Sequence, residues 1–189
     1  MDVFTTDGEI AVRRLRDHPD DWAAMARWRA EPHVAGWWDP DEPIPTAEEL
    51  AEDYAEEATP GGRATGCIIE VDGDPVGYLQ FYRWADFADE THEMMIGEGP
   101  DTWGIDIHVG DPSVAGRGIG SRTVAAICGF LAAERGASDV RLTTELGNVR
   151  AQRAYERAGF RKVRQVLDTD TRDGERVWCW LMRWTPPAD

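Results

Sequence analysis

No stretch of the chain approaches the roughly 18 consecutive apolar residues that a membrane-spanning helix needs, and the N-terminal residues lack the basic-then-apolar pattern of a secretory signal. No membrane is expected as a partner, and the cytoplasm is the expected compartment. Cysteine is scarce. Cys67, Cys128 and Cys179 are odd in number, far apart and each set in an apolar run, which excludes a disulfide framework and points to buried free thiols. Nothing in their spacing suggests a metal site, and no metal is expected. Basic residues are few, 20 against 36 acidic, giving a net charge of −16 that argues against nucleic acid as a partner. Repeats, low-complexity tracts and interdomain linkers are also missing, so residues 1–189 are expected to form one domain with one core.

The charge that is present is unevenly spread. Residues 36–111 carry 20 acidic and 2 basic side chains, a net of −18, whereas residues 115–164 carry 4 acidic and 10 basic, a net of +6. An acidic surface often serves only solvation. The other reading is a cationic substrate on one side and a phosphate-bearing ligand on the other.

Pattern and punctuation predict the elements. Alternation from Glu9 to Arg16 suits a first strand, and His18-Pro19-Asp20-Asp21 starts a helix that Glu31-Pro32 stops. The tryptophan- and proline-bearing stretch from Gly36 to Pro45 reads as a loop. Thr46 with Glu49 forms a capping box for a second helix running to about Ala58. Thr65–Val71 and Val76–Arg83 read as a hairpin around Asp72-Gly73-Asp74-Pro75, followed by a long stretch without periodicity and a strand from Trp103 to Val109. A glycine-rich turn from Pro112 to Gly120 then leads into a helix from Ser121 to Arg135, a short strand over Val140–Thr144 and a helix from Asn148 to Ala158. Phe160–Leu167 and Arg176–Trp184 form a last hairpin, with Asp168–Glu175 as its loop. This order defines an α+β fold with one mixed, mostly antiparallel sheet flanked by helices.

Chemistry concentrates in two motifs. Ala115-Gly116-Arg117-Gly118-Ile119-Gly120 lies between a predicted strand and a predicted helix, so backbone N–H groups and the positive helix end converge on one point suited to an anion. A plain strand-to-helix connection is the simpler reading. It is no nucleotide P-loop, because no Gly-Lys-Ser/Thr ends it, and no dinucleotide fingerprint, because it follows an antiparallel region. The second motif runs from Gly147 to Phe160, with Asn148, Ala151, Tyr155, Gly159 and Phe160 at fixed spacing. Asp106 alternates with Ile105 and Ile107, which puts its carboxylate on the face opposite those two side chains. Such a carboxylate is either an ion-pair partner or a functional group.

Taken together and in order, the Arg-Gly-Ile-Gly turn and the Asn-x-x-Ala-x-x-x-Tyr-x-x-x-Gly-Phe block resemble the two acetyl-CoA-binding motifs of GCN5-related N-acetyltransferases. Trp37-Trp38, the Val76–Gln80 strand and Trp103-Gly104-Ile105-Asp106 are similar to segments of the aminoglycoside 6'-N-acetyltransferases of that superfamily, so the resemblance spans nearly the whole chain. It implies acetyl-CoA as co-substrate and a polycationic aminosugar as the amine. By that resemblance Ile107 and Val109 line the pantetheine, Arg117, Gly118, Ile119, Gly120 and Ser121 cradle the pyrophosphate, and Asn148 and Ala151 contact the pantetheine arm. Tyr155 would face the thioester sulfur, unless it is a packing aromatic. Asp106 would orient the amine and take its proton.

Several ammonium groups on sugar rings call for carboxylates and flat apolar walls. The resemblance nominates Asp106, Glu145 and Asp173, then Glu98 and Asp101, as the carboxylates. Trp37, Trp38 and Trp103 are nominated as walls and Gln80 as a neighbour, although core packing is the ordinary fate of a tryptophan. Cys128, on an apolar helix face without a paired histidine, reads as packing. The competing readings are a lysine or hydroxylamine N-acyltransferase of siderophore assembly, a protein or peptide N-acetyltransferase, and an acyl-CoA sensor without catalysis.

Overall fold

The computed structural model describes residues 3–89 and 99–187, apart from the side chains of residues 170 and 171. Strands β1 (Val3–Asp7) and β2 (Ile10–Arg14) form a hairpin. The sequence reading found only the second, because β1 is an edge strand whose half-exposed side chains do not alternate. Helix α1 (Pro19–Arg29) begins as read, with the His18 ring accepting from the Asp20 N–H and proline in the first turn. Pro32 opens a further short helix, α2 (Pro32–Ala35). The Thr46–Glu49 capping box starts α3 (Ala47–Asp53), and a break at Tyr54 separates it from α4 (Ala55–Ala58).

Strands β3 (Ala64–Val71) and β4 (Asp74–Arg83) close on Asp72-Gly73, both at positive φ, as a two-residue hairpin turn requires. Then come β5 (Thr102–Val109), α5 (Ile119–Arg135), β6 (Asp139–Glu145) and α6 (Val149–Arg157). The last hairpin departs from expectation. Its strands β7 (Arg161–Arg172) and β8 (Glu175–Trp184) run through the predicted loop and turn only at Asp173-Gly174, again both at positive φ.

The eight strands form one sheet in the order β1-β2-β3-β4-β5-β6-β8-β7, all antiparallel neighbours except β5 with β6. Leu15, Trp22, Met25, Trp28 and Leu50 pack with Ile68 and Tyr78 on the face covered by α1 and α3. On the other face α5 lays Val124, Ile127, Cys128 and Leu131 on Cys67, Leu79, Phe81 and Ile105. The three cysteines are buried free thiols, and burial holds those of Cys67 and Cys128 well above the ordinary range. Buried Arg13 joins the first face to α1 through both carboxylate oxygens of Asp21, at 2.7 and 2.9 Å.

One irregularity prepares the site. The parallel pairing of β5 with β6 covers only Thr102, Gly104 and the residue between them, opposite Asp139–Arg141. Beyond Gly104, β5 stays with β4 as far as Val109, while β6 stays with β8 as far as Glu145. The two strands therefore part, and the sheet opens in the middle.

Candidate active site where two strands part

A cavity of about 810 Å³ occupies this opening, and its walls come from both faces of the sheet. From β5, Asp106 and His108 reach it on the α1 face and Ile107 and Val109 on the α5 face, as strand alternation dictates. Thr143, Thr144 and Glu145 of β6 and Tyr155 of α6 form the opposite wall.

The two ends of the cavity differ in charge. At one end stand Gly116, Gly118, Ile119, Gly120 and Ser121, with Asn148, Arg150, Ala151 and Arg157 of α6 beside them. Gly116 and Gly118 both lie at φ +77, a conformation that L side chains seldom adopt, and they aim the backbone into the N-terminus of α5. A Cβ at Gly116 would meet nothing within 4 Å, so the left-handed backbone rather than crowding explains glycine there. A phosphate-bearing ligand fits this end: the first N–H groups of a 17-residue helix lack intrahelical partners, and two guanidinium groups stand nearby. The oxygen of Asn148 caps α6 by accepting from the Ala151 N–H at 3.1 Å, so its first duty is local.

Most of the cavity's carboxylates lie away from the glycine turn, Asp39, Asp41, Glu42, Asp106, Glu145 and Asp168, while Asp111 directly precedes it. Asp106 accepts from the Gln80 amide at 2.9 Å, and Gln80 in turn accepts from the hydroxyl of buried Tyr78 at 2.9 Å. This relay fixes the Asp106 carboxylate with neutral donors. Burial raises the pKa of the Tyr155 phenol above its ordinary value, and the charge of Asp106 adds to the rise, so the phenol keeps its proton in neutral solution. Trp37 and Trp38 line the same end, Trp37 being exposed.

Four nominated residues stand elsewhere. Trp103 lies on the α5 face, in the core with Phe81 and Ile105, and forms no part of the wall. Asp101 is exposed at the paired end of β5, where its carbonyl accepts from the Ser138 N–H. Asp173 occupies the β7–β8 turn with its side chain outside the cavity, its N–H donating to Asp41. The Arg117 guanidinium lies 3.8 Å from Glu9 in place of the wall. Glu98 is outside the described residues. Conversely, His108, Asp168, Arg150 and Arg157 belong to the wall and were not nominated. Parity with Asp106 is the signal for His108, and parity with buried Val166 the signal for Asp168.

Eight strands opening between a parallel pair, with a glycine turn at a helix N-terminus on one side and carboxylates on the other, fit an acyl-group transferase. Residues 17–167 match the model of the acetyltransferase (GNAT) domain, and the chain belongs to that family. Among characterised relatives it is similar to the aminoglycoside N(6')-acetyltransferase type 1 of Klebsiella pneumoniae, 26% identical over 93% of this chain and 84% of the relative. The namesake from Serratia marcescens matches to the same degree. A solved structure of AAC(6')-Ib with ribostamycin and coenzyme A superposes with a TM-score of 0.76, at 25% identity, covering 94% of this chain and 93% of that one. Among the described residues no helix is long and apolar enough to cross a membrane.

Proposed function

We propose that this protein acetylates a primary amine of a polycationic aminosugar, the 6'-amine of aminoglycoside antibiotics, with acetyl-CoA as donor, and thereby confers resistance. The observation that carries the reading is one cavity, open through the sheet, with Asp106 and Tyr155 on its walls and opposite charge at its two ends. The relatives named above support the choice of amine. The chain acts as one domain, in the cytoplasm where acetyl-CoA is at hand.

The residues divide the work. The N-terminus of α5, with Arg150 and Arg157, holds the phosphates, and the β5 edge beyond Gly104 offers its backbone to the pantetheine arm. Asp106, steadied by Gln80, binds the attacking ammonium and takes one of its protons, directly or through water, which frees the lone pair for the thioester carbonyl carbon. As the carbon–sulfur bond breaks, Tyr155 supplies a proton to the departing sulfur and regains one from the new amide nitrogen's side. One proton per turnover leaves to solvent. A placed acid or base of this kind is worth about 10²–10⁴-fold.

The test is free-thiol release from acetyl-CoA with kanamycin, tobramycin, gentamicin, a 6'-hydroxyl aminoglycoside, lysine and a basic peptide. Turnover is expected only with the 6'-amino drugs, and Asp106→Asn is expected to lower kcat/KM by about 10²–10⁴-fold. Activity confined to lysine or the peptide refutes the aminosugar while leaving the acetyltransferase intact.

A further inference from the structure

Glu145 stands on the cavity wall, yet its charge is already matched. Arg172, the last residue of β7, donates through Nη2 to one carboxylate oxygen at 2.7 Å and through Nε to the other at 3.1 Å. The same Nη2 donates to the Gly36 carbonyl at 2.8 Å, and the guanidinium carbon lies 5.2 Å from the centre of the Trp37 ring. Beside it, Asp41 accepts from the N–H groups of Asp173 and Gly174 at 2.8 and 3.0 Å. The β7–β8 turn and the loop after α2 are thus clasped together over the acidic end. Arg172 itself is not part of the cavity wall, so it reaches Glu145 from behind.

A two-pronged guanidinium matches a carboxylate better than a single ammonium does. A substrate amine arriving at Glu145 meets an acceptor whose charge is neutralised and whose partner is anchored at two further points. We propose that Arg172 is a specificity-determining residue: by holding Glu145 in an ion pair it withdraws one cation subsite from the cavity and limits how many ammonium groups a substrate can anchor. This rests on reading the cavity as the amine site of an acetyltransferase. The reacting amine and its neighbours are then held by the remaining carboxylates of that end, Asp106 among them, and substrates of higher charge gain less from the acidic end than its composition suggests.

Binding and turnover of wild type, Arg172→Gln, Arg172→Lys and the double variant Arg172→Gln/Glu145→Gln test this. The probes are kanamycin, spermidine and 6-amino-6-deoxyglucose, which offers one amine only. In Arg172→Gln the KM and the calorimetric Kd for kanamycin are expected to fall about tenfold, the scale of one added charge-assisted contact. The constants for 6-amino-6-deoxyglucose and for acetyl-CoA should stay within about twofold. The double variant should lose the gain, and Arg172→Lys, which keeps the charge on one donor point, should show part of it. An equal change for all amines, or a gain that survives loss of Glu145, makes Arg172 a mere clasp and overturns the proposal. If Arg172→Gln does not fold, Arg172→Lys decides alone. If wild type turns over no aminosugar, that reading fails separately, because calorimetry with spermidine still registers whether Glu145 has been released.

Discussion

At the scale of single residues, His108 is a titratable group strongly altered by its surroundings. Trp28, Trp38 and Tyr78 enclose its ring, its Nδ1 has no partner among the described residues, and burial, with Arg29 and His33 nearby, pushes its pKa down to about 3. Between that value and the ordinary 6.5 the unfolded chain binds a proton that the folded chain refuses. The stability is therefore fully present above about pH 6.5 and is lost as pH falls toward 3, at about 1.4 kcal/mol per pH unit. Replacing His108 with leucine should leave stability at about pH 7 equal or higher, since an unpaired buried nitrogen disappears. It should also flatten the decline between about pH 6 and about pH 4 by that slope. Urea midpoints of both proteins across this range check it; parallel curves would show that the imidazole takes up no proton on unfolding. The residue was legible in the sequence by parity alone. It stands two positions after Asp106 on the same strand, so whatever wall receives one receives the other.

At the scale of elements, position along a strand shows how an expectation went astray. Ile107 and Val109 share the face of Trp103 and line the cavity, but Trp103 stands where β5 is still paired with β6, before the strands part, and packs in the core. The motif resemblance grouped Trp103 with Asp106 because they are near in sequence, and the end of the parallel pairing separates them. The motifs themselves were legible because they combine fixed spacing with glycine punctuation, and they located α5, α6 and Tyr155. Asp168 was hidden because Asp-Thr-Asp-Thr-Arg reads as loop, whereas β7 runs on through it to Arg172 with an irregularity between Leu167 and Thr171. Gly104 is the last residue of β5 paired with β6 before the strands part. A Cβ there would lie 2.3 Å from the Tyr82 ring and 3.0 Å from Trp84, both of which line the cavity. Gly104→Ala is expected to cost about 1–3 kcal/mol through overpacking and, by displacing these rings, to raise the KM for the amine more than that for acetyl-CoA. Thermal unfolding and paired KM values measure both effects; an alanine variant with wild-type Tm and KM would show that the rings move aside without consequence.

At the scale of the whole molecule, the charge asymmetry of the sequence becomes an axis through the sheet. The acidic span 36–111 supplies Asp39, Asp41, Glu42 and Asp106 to one end of the cavity, with Asp111 before the glycine turn, and the basic span 115–164 supplies Arg150 and Arg157 as well as the paired Glu145. Neither span is a site alone; they meet because β5 and β6 part. Both arginines are exposed, so their attraction for phosphate is screened over a Debye length of about 10 Å at 0.1 M salt. KM for acetyl-CoA and for kanamycin should therefore both rise with ionic strength. Arg150→Ala/Arg157→Ala should raise the KM for acetyl-CoA about tenfold at low salt, flatten its salt dependence, and leave the slope for kanamycin as steep as before, since the carboxylates that attract the amine are untouched. Steady-state kinetics in a salt series separate the two slopes. If the arginine variant flattens both, the ends of the cavity are not independent, and the charge axis acts as one field over the whole opening instead of two local recognition sites.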